Sequence, residues 1–385
     1  MSKFVIEGGT KLKGKVNIGG FKNAAVAIIP ATLLCPERCI IENVPKIQDV
    51  NVFLEILREL GAEADYINDT SIYVDASNVK NCYLENGLSK KMRASYYLLG
   101  AGLGRFNGAS CLMPGGCDIG ERPIDQHIKG FEALGGKVTL TPDGRISVQA
   151  DRLVGAKIYL DVVSVGATIN IMLAAVYAEG RTIIENAAKE PHIVDTANFL
   201  NSMGADIKGA GTDVIRINGV KELKGCTYKV IPDQIEAGTY MIAAAATKGD
   251  IIIDDIIPKH MEPITAKLKE MGMGIEEYGD SMRVYYEKEL VPVNIQTLPY
   301  PGFPTDLQQP MTVLLASLCG ESTVVEGVSQ DRFRYVEELK KMGACIEFTK
   351  KQARIKGTKN LRGTVVQATD LRAGAALIIA GLIAD

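Results

Sequence analysis

Six positions along the chain carry residues that bind anions or move protons, each at the predicted N-terminus of a helix. They recur every 66 to 73 residues, at Lys22, Arg93, Ser164, Asp233, Asp306 and Arg372. A helix N-terminus offers free N–H groups and the positive end of the helix dipole, so it favours anions and disfavours cations unless an anion is bound. The three cations therefore predict a phosphate or carboxylate site. Ser and Asp are also ordinary helix caps, and capping is the favoured interpretation of Asp233.

A second candidate feature is the glycine-rich segment from Met113 to Asp125, which contains Cys117 and Arg122. A single thiol beside an arginine on such a segment predicts a mobile lid whose cysteine has a lowered pKa and donates a proton or forms an adduct. A surface turn with an incidental cysteine is the alternative. His127 would suit a Cys–His hydrolase, but no third group is evident, so a structural histidine is favoured. We interpret the other seven cysteines as small core residues.

A repeat of about 70 residues positions these groups. A glycine that closes an amphipathic helix recurs at Gly61, Gly135, Gly204, Gly272 and Gly343. A Leu-x-Gly sequence between strands recurs at Gly14, Gly155, Gly225 and Gly363. Each repeat is predicted to contain a strand, a helix rich in small residues, a strand, an amphipathic helix and two strands. Helices so rich in small residues are usually buried, so we expect sheets packed around or against a helical centre.

The repeats predict two domains of three units each. We expect an N-terminal domain over residues 22–229, which carries the cysteine loop, and a C-terminal domain over residues 1–21 plus 230–385. The opening strand should complete the sheet of the C-terminal half. The sixth repeat is predicted to contain the strand GTVVQAT and one helix before it stops at Asp385. We therefore expect the C-terminal domain to be truncated, and this chain to be weakly active and less stable than a longer one.

Composition excludes several classes of protein. The chain has 385 residues, 46% of them hydrophobic, and a net charge of −3, which excludes a disordered chain and gives no basic field for nucleic acid or anionic lipid. No apolar stretch is long enough to span a membrane, and the N-terminus lacks the apolar region of a signal peptide, so we expect a cytoplasmic protein. The cysteines form no CxxC pair and the histidines are isolated, so we expect no metal and no cofactor.

Seven segments resemble a known family, in order along essentially the whole chain. They are GGFKNAA (19–25), MRAS (92–95), PGGCDIGERPIDQHI (114–128), SVGATINIM (164–172), IIENAAKEPHIVDTANFL (183–200), FPTDLQQP (303–310) and ATDLRAGAALIIAG (368–381). The family is that of the UDP-N-acetylglucosamine enolpyruvyl transferases. The resemblance implies an α/β fold, the two-domain inside-out α/β barrel, with six repeats of which the sixth is incomplete here.

The resemblance also implies a reaction. The enolpyruvyl group of phosphoenolpyruvate is transferred to the 3-hydroxyl of UDP-N-acetylglucosamine by addition and then elimination of phosphate, in the first committed step of bacterial peptidoglycan synthesis. Both substrates are small molecules, and no nucleic acid, membrane or obligatory protein partner is implied.

Family roles carry over to matching positions of this sequence. Lys22, Arg122 and Arg372 match residues that bind phosphoenolpyruvate. Cys117 matches the general acid, which fosfomycin alkylates, and Asp306 matches the base. The remaining candidate substrate contacts are Asn23, Arg93, Pro123, Ile124, Asp125, Gln126, Ser164, Gly166, Val328, Arg332 and Asp370, with Glu190 as a further polar residue of the cleft.

Two other functions stay open. Transfer to shikimate 3-phosphate shares the fold and mechanism, but GGFKNA replaces the LPGSKS-like opening expected for that enzyme, and the PGGC loop would have no use. A nucleotide-sugar-binding relative without catalysis is the second alternative. Joint retention of Cys117, Asp306, Lys22 and Arg372 argues against it, because a binding protein needs neither acid nor base.

Overall fold

Five successive repeats share one order of elements: strand, helix, strand, helix and two strands. The structure, a computed structural model, describes residues 3–85, 87–115, 123–358 and 360–385. The helices are α1 (Lys22–Ala31), α2 (Gln48–Glu59), α3 (Tyr97–Phe106), α4 (Asp125–Ala133), α5 (Val165–Ala175), α6 (Pro191–Ser202), α7 (Gln234–Ala246), α8 (Glu262–Met271), α9 (Gln308–Ala316), α10 (Val336–Lys341) and α11 (Leu371–Leu382). Within the described ranges, none of the helices combines the length and apolarity needed to cross a membrane.

The strands are short. They are β1 (Lys13–Asn17), β2 (Cys39–Glu42), β3 (Glu63–Asn68), β4 (Ser71–Asp75), β5 (Cys82–Tyr83), β6 (Gly108–Leu112), β7 (Lys137–Leu140), β8 (Arg145–Gln149), β9 (Lys157–Tyr159), β10 (Arg181–Glu185), β11 (Asp206–Lys208), β12 (Val214–Asn218), β13 (Thr227–Lys229), β14 (Asp250–Asp254), β15 (Met273–Tyr278), β16 (Ser281–Tyr286), β17 (Ile295–Thr297), β18 (Gly320–Glu326), β19 (Cys345–Phe348) and β20 (Gln352–Gly357).

The glycines that mark the repeat end its second helix, as predicted. Gly61 follows α2 with φ 98° and Gly204 follows α6 with φ 108°, a left-handed conformation that costs glycine little because it has no Cβ. The chain then reverses into the final strand pair of the repeat. Sequence spacing alone therefore located these turns.

Each repeat builds a four-stranded sheet. In the third repeat the order is β9–β10–β12–β11, with β9 and β10 parallel across α5 and the other neighbours antiparallel. The first and fourth repeats exchange their opening strands, since β13 pairs with β2 and β1 pairs with β14. The opening strand of the chain thus joins the sheet of the fourth repeat, as the sequence predicted.

The contacts divide the described residues into two compact units. One contains residues 20–115 and 123–231, and the other contains residues 3–19 and 232–385. In the first unit α3 packs against α1 and α5, and in the second α9 packs against α7 and α11. Every residue of α9 is buried, as are residues 24–31 of α1. Each unit therefore has the predicted helical centre.

The start of the sixth repeat differs from the expectation. Residues 363–369, GTVVQAT, form no strand, and Val365 is exposed. In each other repeat the opening strand pairs with a strand that follows a first helix, and the described residues place no such strand beside this segment. Leu361 instead forms a single bridge with Ala384, and α11 is the part of the repeat that forms.

Candidate active site

The predicted anion-binding positions lie at the beginnings of helices. Lys22 is the first residue of α1, and Arg372 is the second of α11. Arg93 opens a short 3-10 turn, Arg93–Tyr96, that runs into α3, and Asp306 lies on the 3-10 turn Thr305–Leu307 directly before α9. The placement predicted from spacing is confirmed.

Three of the acidic or hydroxyl residues cap their helices. The Ser164 hydroxyl accepts a hydrogen bond from the Ala167 N–H at 3.3 Å, and Asp233 accepts from Ile235 at 2.8 Å. Asp370 accepts from the backbone N–H of Arg372 at 2.9 Å. Capping therefore accounts for Asp233, as the sequence favoured, and fixes the first turn that carries Arg372.

Asp306 lies between two arginines. Its Oδ1 accepts from Nη2 of Arg332 at 2.7 Å, and its Oδ2 accepts from Nη2 of Arg372 at 2.8 Å. The side chain of Arg332 is 6% exposed and that of Arg372 16%. Ion pairs so poorly solvated persist only when each charge is matched and hydrogen-bonded.

These arginines control the protonation of the carboxyl group. Burial raises the pKa of Asp306, but the charges of Arg372 and Arg332 outweigh burial and hold that pKa well below its usual range. Asp306 is therefore ionised, and both of its oxygens are engaged. It becomes an effective base only when an arginine moves away from it.

Arg332 is held on its other side by Thr305. Its Nη1 donates to the Thr305 hydroxyl oxygen at 2.8 Å, while that hydroxyl donates to Glu326 at 2.9 Å. The backbone N–H of Val328, a predicted substrate contact, also donates to Glu326, at 2.9 Å. Val328 itself is 46% exposed. Neither Thr305 nor Glu326 was singled out from the sequence.

A cavity of about 430 Å³ lies beside this cluster, within the same unit. Its lining residues are Asp331, Arg332, Arg334, Glu338, Gln367, Ala368, Thr369 and Asp370. Asp370 is held by the buried Gln309, whose Nε2 lies 3.2 Å from Oδ2. Two predicted substrate residues, Arg332 and Asp370, thus border one open space.

Lys22 also has a carboxylate partner, in the other unit. Its Nζ lies 2.9 Å from Oδ2 of Asp49 in the first turn of α2, and both side chains are 30% exposed. Asn23, the next residue, is half-buried. A cation at the start of α1 is thus balanced by a protein carboxylate, as Arg372 is by Asp306. Asp49 was not identified from the sequence because its contact joins two different helices.

Arg93 and Gly166 lie beside a group of uncharged polar side chains. Nδ2 of Asn170 lies 3.0 Å from Nδ1 of His127 and donates to the Tyr96 carbonyl at 2.9 Å. Because that amide is a donor, Nδ1 of the imidazole accepts and the ring hydrogen is assigned to Nε2. Burial, followed by the charge of Arg93, lowers the pKa of His127 to about 3. His127 is therefore the neutral structural histidine that the sequence favoured.

Gly166 brings α5 close to this network. A Cβ at this position would lie 2.6 Å from the Tyr96 hydroxyl and 2.9 Å from Nε2 of His127. No larger residue fits without displacing one of these groups. The close approach explains why glycine occupies the first turn of α5.

The start of α4 contains the remaining described substrate candidates of this unit. The Gln126 amide donates to Asp161 at 3.2 Å and its Oε1 accepts from the Asp161 N–H at 2.9 Å. Asp125 accepts from the same amide, Ile124 is buried and Pro123 is exposed. Glu190 lies directly before α6. The two contacts with Asp161 fix Gln126 to the bend that follows β9.

Two predicted site residues, Cys117 and Arg122, lie outside the described residues. The interpretation of the other seven cysteines as core residues is wrong for three of them. Cys319 and Cys345 are exposed and Cys226 is half-buried. Cys345 begins β19 on the solvent-facing side of the alternation, and Cys319 lies in the turn before β18. Among the residues with described positions, no group of three or more His, Cys, Asp or Glu is arranged to hold a metal ion.

Comparison with known proteins gives consistent matches. The family described as EPSP synthase (3-phosphoshikimate 1-carboxyvinyltransferase) matches residues 6–385. The UDP-N-acetylglucosamine 1-carboxyvinyltransferase of Clostridium botulinum is 58% identical, over 100% of this chain and 92% of that protein. UDP-N-acetylglucosamine 1-carboxyvinyltransferase 2 of Bacillus subtilis is 55% identical, over 100% and 90%.

Solved structures agree. The enolpyruvyl transferase NikO from Streptomyces tendae is 28% identical with a TM-score of 0.88, over 98% of this chain and 90% of that one. EPSP synthase from Acinetobacter baumannii is 19% identical with a TM-score of 0.73, over 99% and 91%, which shows the fold alone. The expected fold class, the inside-out α/β barrel of the enolpyruvyl transferases, is confirmed. On its sequence and its fold, the chain is a member of the EPSP synthase family of enolpyruvyl transferases.

Proposed function

We propose that this chain transfers the enolpyruvyl group of phosphoenolpyruvate to the 3-hydroxyl of UDP-N-acetylglucosamine and releases phosphate, the first committed step of peptidoglycan synthesis. The observation that carries the proposal is Asp306 held between Arg332 and Arg372. A carboxylate and two cations in one cluster fit a hydroxyl that must lose a proton and attack a doubly anionic substrate. Identity of 54–58% to UDP-N-acetylglucosamine 1-carboxyvinyltransferases selects the acceptor.

Substrate binding and the addition step each have assigned residues. Lys22, Arg122 and Arg372 bind the phosphate and carboxylate of phosphoenolpyruvate. Asp306 takes the proton of the sugar hydroxyl as its oxygen bonds to C2, and Cys117 donates a proton to C3. Loss of a proton from C3 and cleavage of the C2–O bond to phosphate then restore the double bond. The proposed acceptor contacts are Asn23, Arg93, Pro123, Ile124, Asp125, Gln126, Ser164, Gly166, Val328, Arg332 and Asp370.

The contacts with Arg332 and Arg372 determine when Asp306 can accept a proton. An anionic substrate competes with Asp306 for the guanidinium of Arg372, and its binding frees one carboxylate oxygen. Arg332 keeps the other oxygen, because Thr305 holds it from behind. Asp306 then accepts a proton only when phosphoenolpyruvate is present, which limits unproductive proton transfer in its absence.

The repeats further suggest that residues 22–229 form one domain and residues 1–21 with 230–385 the other. The two compact units support this division. The cytoplasmic location stays a prediction.

Phosphate release by the purified chain tests the function. We expect inorganic phosphate only when phosphoenolpyruvate and UDP-N-acetylglucosamine are both supplied, with a product whose mass equals the acceptor plus the enolpyruvyl group. Release with shikimate 3-phosphate would assign the chain to the reaction after which its family is named. Binding of UDP-N-acetylglucosamine without any release would instead support a non-catalytic relative.

The proposed acid has a separate test. Fosfomycin should alkylate Cys117 and stop phosphate release, whereas Cys117→Asp should keep a proton donor, retain activity and escape the drug. Cys345→Ser is the matched control, because Cys345 is exposed on β19 and should not affect alkylation. Labelling that falls first on Cys345 would contradict the assignment.

A further inference from the structure

Four repeats place an acidic residue at the end of the strand that follows the first helix. These residues are Glu42 of β2, Glu185 of β10, Asp254 of β14 and Glu326 of β18. Glu42 is exposed, Glu185 pairs with Lys157 at 3.0 Å, and Asp254 pairs with Lys15. Glu326 alone of the four is fully buried, at 1% exposure.

The turn after the strand also changes in the fifth repeat. Asn43 and Asn186 follow the acids of β2 and β10 with φ near 56°, and their amides donate to Val230 and Leu160 carbonyls at 2.9 and 2.8 Å. Gly327 takes this place in the fifth repeat, and its φ is not positive. The asparagine that ties the turn to the neighbouring strand is therefore missing.

Glu326 ties the turn in its place. Its Oε1 accepts from the backbone N–H of Val328 at 2.9 Å, from that of Ser329 at 2.8 Å and from the Thr297 hydroxyl at 2.7 Å. Thr297 ends β17 and is fully buried. Three hydrogen bonds to one oxygen fix both the turn and the carboxylate.

The other oxygen acts on Arg332. Oε2 of Glu326 accepts the only hydroxyl hydrogen of Thr305, so the lone pairs of that hydroxyl remain for Nη1 of Arg332 at 2.8 Å. The same guanidinium donates to Asp306 at 2.7 Å. A relay of hydrogen bonds thus runs from a carboxylate with no substrate role to the proposed base.

We propose that Glu326 is a positioning residue that aims Arg332 at Asp306 through the Thr305 hydroxyl and sets the basicity of Asp306. The inference rests on the proposed function, in which Asp306 is the base. Two carboxylates, Glu326 and Asp306, balance two arginines in this cluster. Loss of the Glu326 charge leaves an excess positive charge, which weakens Asp306 as a base and favours anionic substrate.

Glu326→Gln isolates this role from the role in the turn. The amide oxygen still accepts from Val328, Ser329 and Thr297, while its NH₂ group replaces the acceptor that faces Thr305. We expect kcat to fall about 10- to 100-fold, since a hydrogen bond to a charged group is lost. KM for phosphoenolpyruvate should stay unchanged or fall, and the acidic limb of the kcat–pH profile should move to lower pH.

Three further variants complete the experiment. Thr305→Val removes the relay and should show a similar loss of kcat, whereas Thr305→Ser keeps the hydroxyl and should restore it. Glu185→Gln is the matched control, because Glu185 ends the corresponding strand of the third repeat and pairs with an exposed lysine. It should leave kcat, KM and the pH profile at parental values.

The outcomes separate the two proposals. An inactive parent chain with every acceptor would overturn the proposed function, and the crystal structure of the Glu326→Gln variant would then test the positioning role alone. We expect Arg332 to shift away from Thr305 while it remains paired with Asp306 in that structure. An unshifted Arg332, or a variant with parental kcat and pH profile, would show that Glu326 serves only the turn.

Discussion

The beginnings of α5 and α9 occupy the same point of two repeats, yet their surroundings differ in charge. Around α9, Asp306 is paired with Arg332 and Arg372, whose side chains are 6% and 16% exposed. Around α5, Asn170 and Tyr96 surround a histidine that burial keeps neutral. The start of this helix thus carries ion-paired charges in one repeat and mainly uncharged polar groups in the other.

The difference follows from how each site compensates for the removal of a titratable group from water. Charges removed from water must be paired, which is why Asp306 has an arginine on each oxygen. An imidazole can instead lose its proton, and His127 does so. We therefore propose that proton transfer occurs at the start of α9 and that the start of α5 positions the acceptor.

The largest effect is expected from Asp306→Asn. Loss of the base should lower kcat about 10²- to 10⁴-fold, while a folded protein still binds UDP-N-acetylglucosamine. Asp306→Glu should recover part of the rate because it restores a carboxylate. Asp250→Asn is the control, since Asp250 also contacts an arginine, Arg283, but on the surface. A rate loss in the control as large as that of Asp306→Asn would refute the special role of the buried cluster.

Arg372→Lys should have the second-largest effect on the rate. Lysine keeps the positive charge but loses the planar fork of N–H donors that can bind a phosphate or carboxylate through two parallel hydrogen bonds. We expect kcat/KM for phosphoenolpyruvate to fall about 10²-fold in steady-state kinetics. The matched change Arg283→Lys should have little effect, because its ion pair with Asp250 is solvent-exposed. Unaltered kcat/KM in the Arg372→Lys protein would show that Arg372 does not bind the substrate.

Gly166→Ala tests the group of uncharged side chains at the start of α5. The added methyl would meet the Tyr96 hydroxyl and His127, so α5 or those rings must shift. We expect KM for UDP-N-acetylglucosamine to rise about 10-fold, with kcat less affected than in Asp306→Asn. Gly374→Ala on α11 is the control, because its Cβ would have only an ordinary contact at 3.6 Å. A selective loss of kcat in Gly166→Ala would contradict a positioning role.

The last expected effect is on stability rather than on rate, and it is a dependence of stability on pH. Below pH 6.5 the unfolded chain protonates His127, whereas the folded chain does not until the pH approaches 3. The stability that neutral His127 gives is complete above pH 6.5 and is lost as the pH falls towards 3, by about 1.4 kcal/mol per pH unit. Denaturant unfolding at several pH values should show a shallower slope for His127→Gln than for the parent chain. Parallel slopes would mean that His127 is protonated in the folded state.

The sequence predicted the scaffold and the helix-start residues because both follow from local rules and from spacing. Gly61 and Gly204 need only a left-handed turn after a helix, and Ser164 and Asp370 need only a cap. The partners of the charged residues could not be predicted in this way. Asp49 contacts Lys22 across two helices, and the importance of Thr305 depends on Arg332, 27 residues away in the chain.

The sequence did contain a pattern that points to Glu326. An acid ends the corresponding strand in four repeats, so the position was visible in the sequence. The burial of Glu326 could not be predicted from the sequence. Gly327, which replaces the asparagine of other repeats, indicates only that the turn after the strand has a different conformation. For Cys345 the sequence predicted burial where the structure shows exposure. Cys345 lies in an apolar segment, but which face of a strand points to the core cannot be assigned without the register of that strand.

Isotope incorporation tests the proposed chemistry most directly. The chain is incubated with phosphoenolpyruvate and UDP-N-acetylglucosamine in D₂O, and the product is examined by mass spectrometry and NMR. Protonation of C3 followed by loss of a proton predicts deuterium on the vinyl carbon of the transferred enolpyruvyl group, and no product from Asp306→Asn on the same timescale. A product without deuterium would contradict addition and elimination through a freely rotating C3 methyl group at this site.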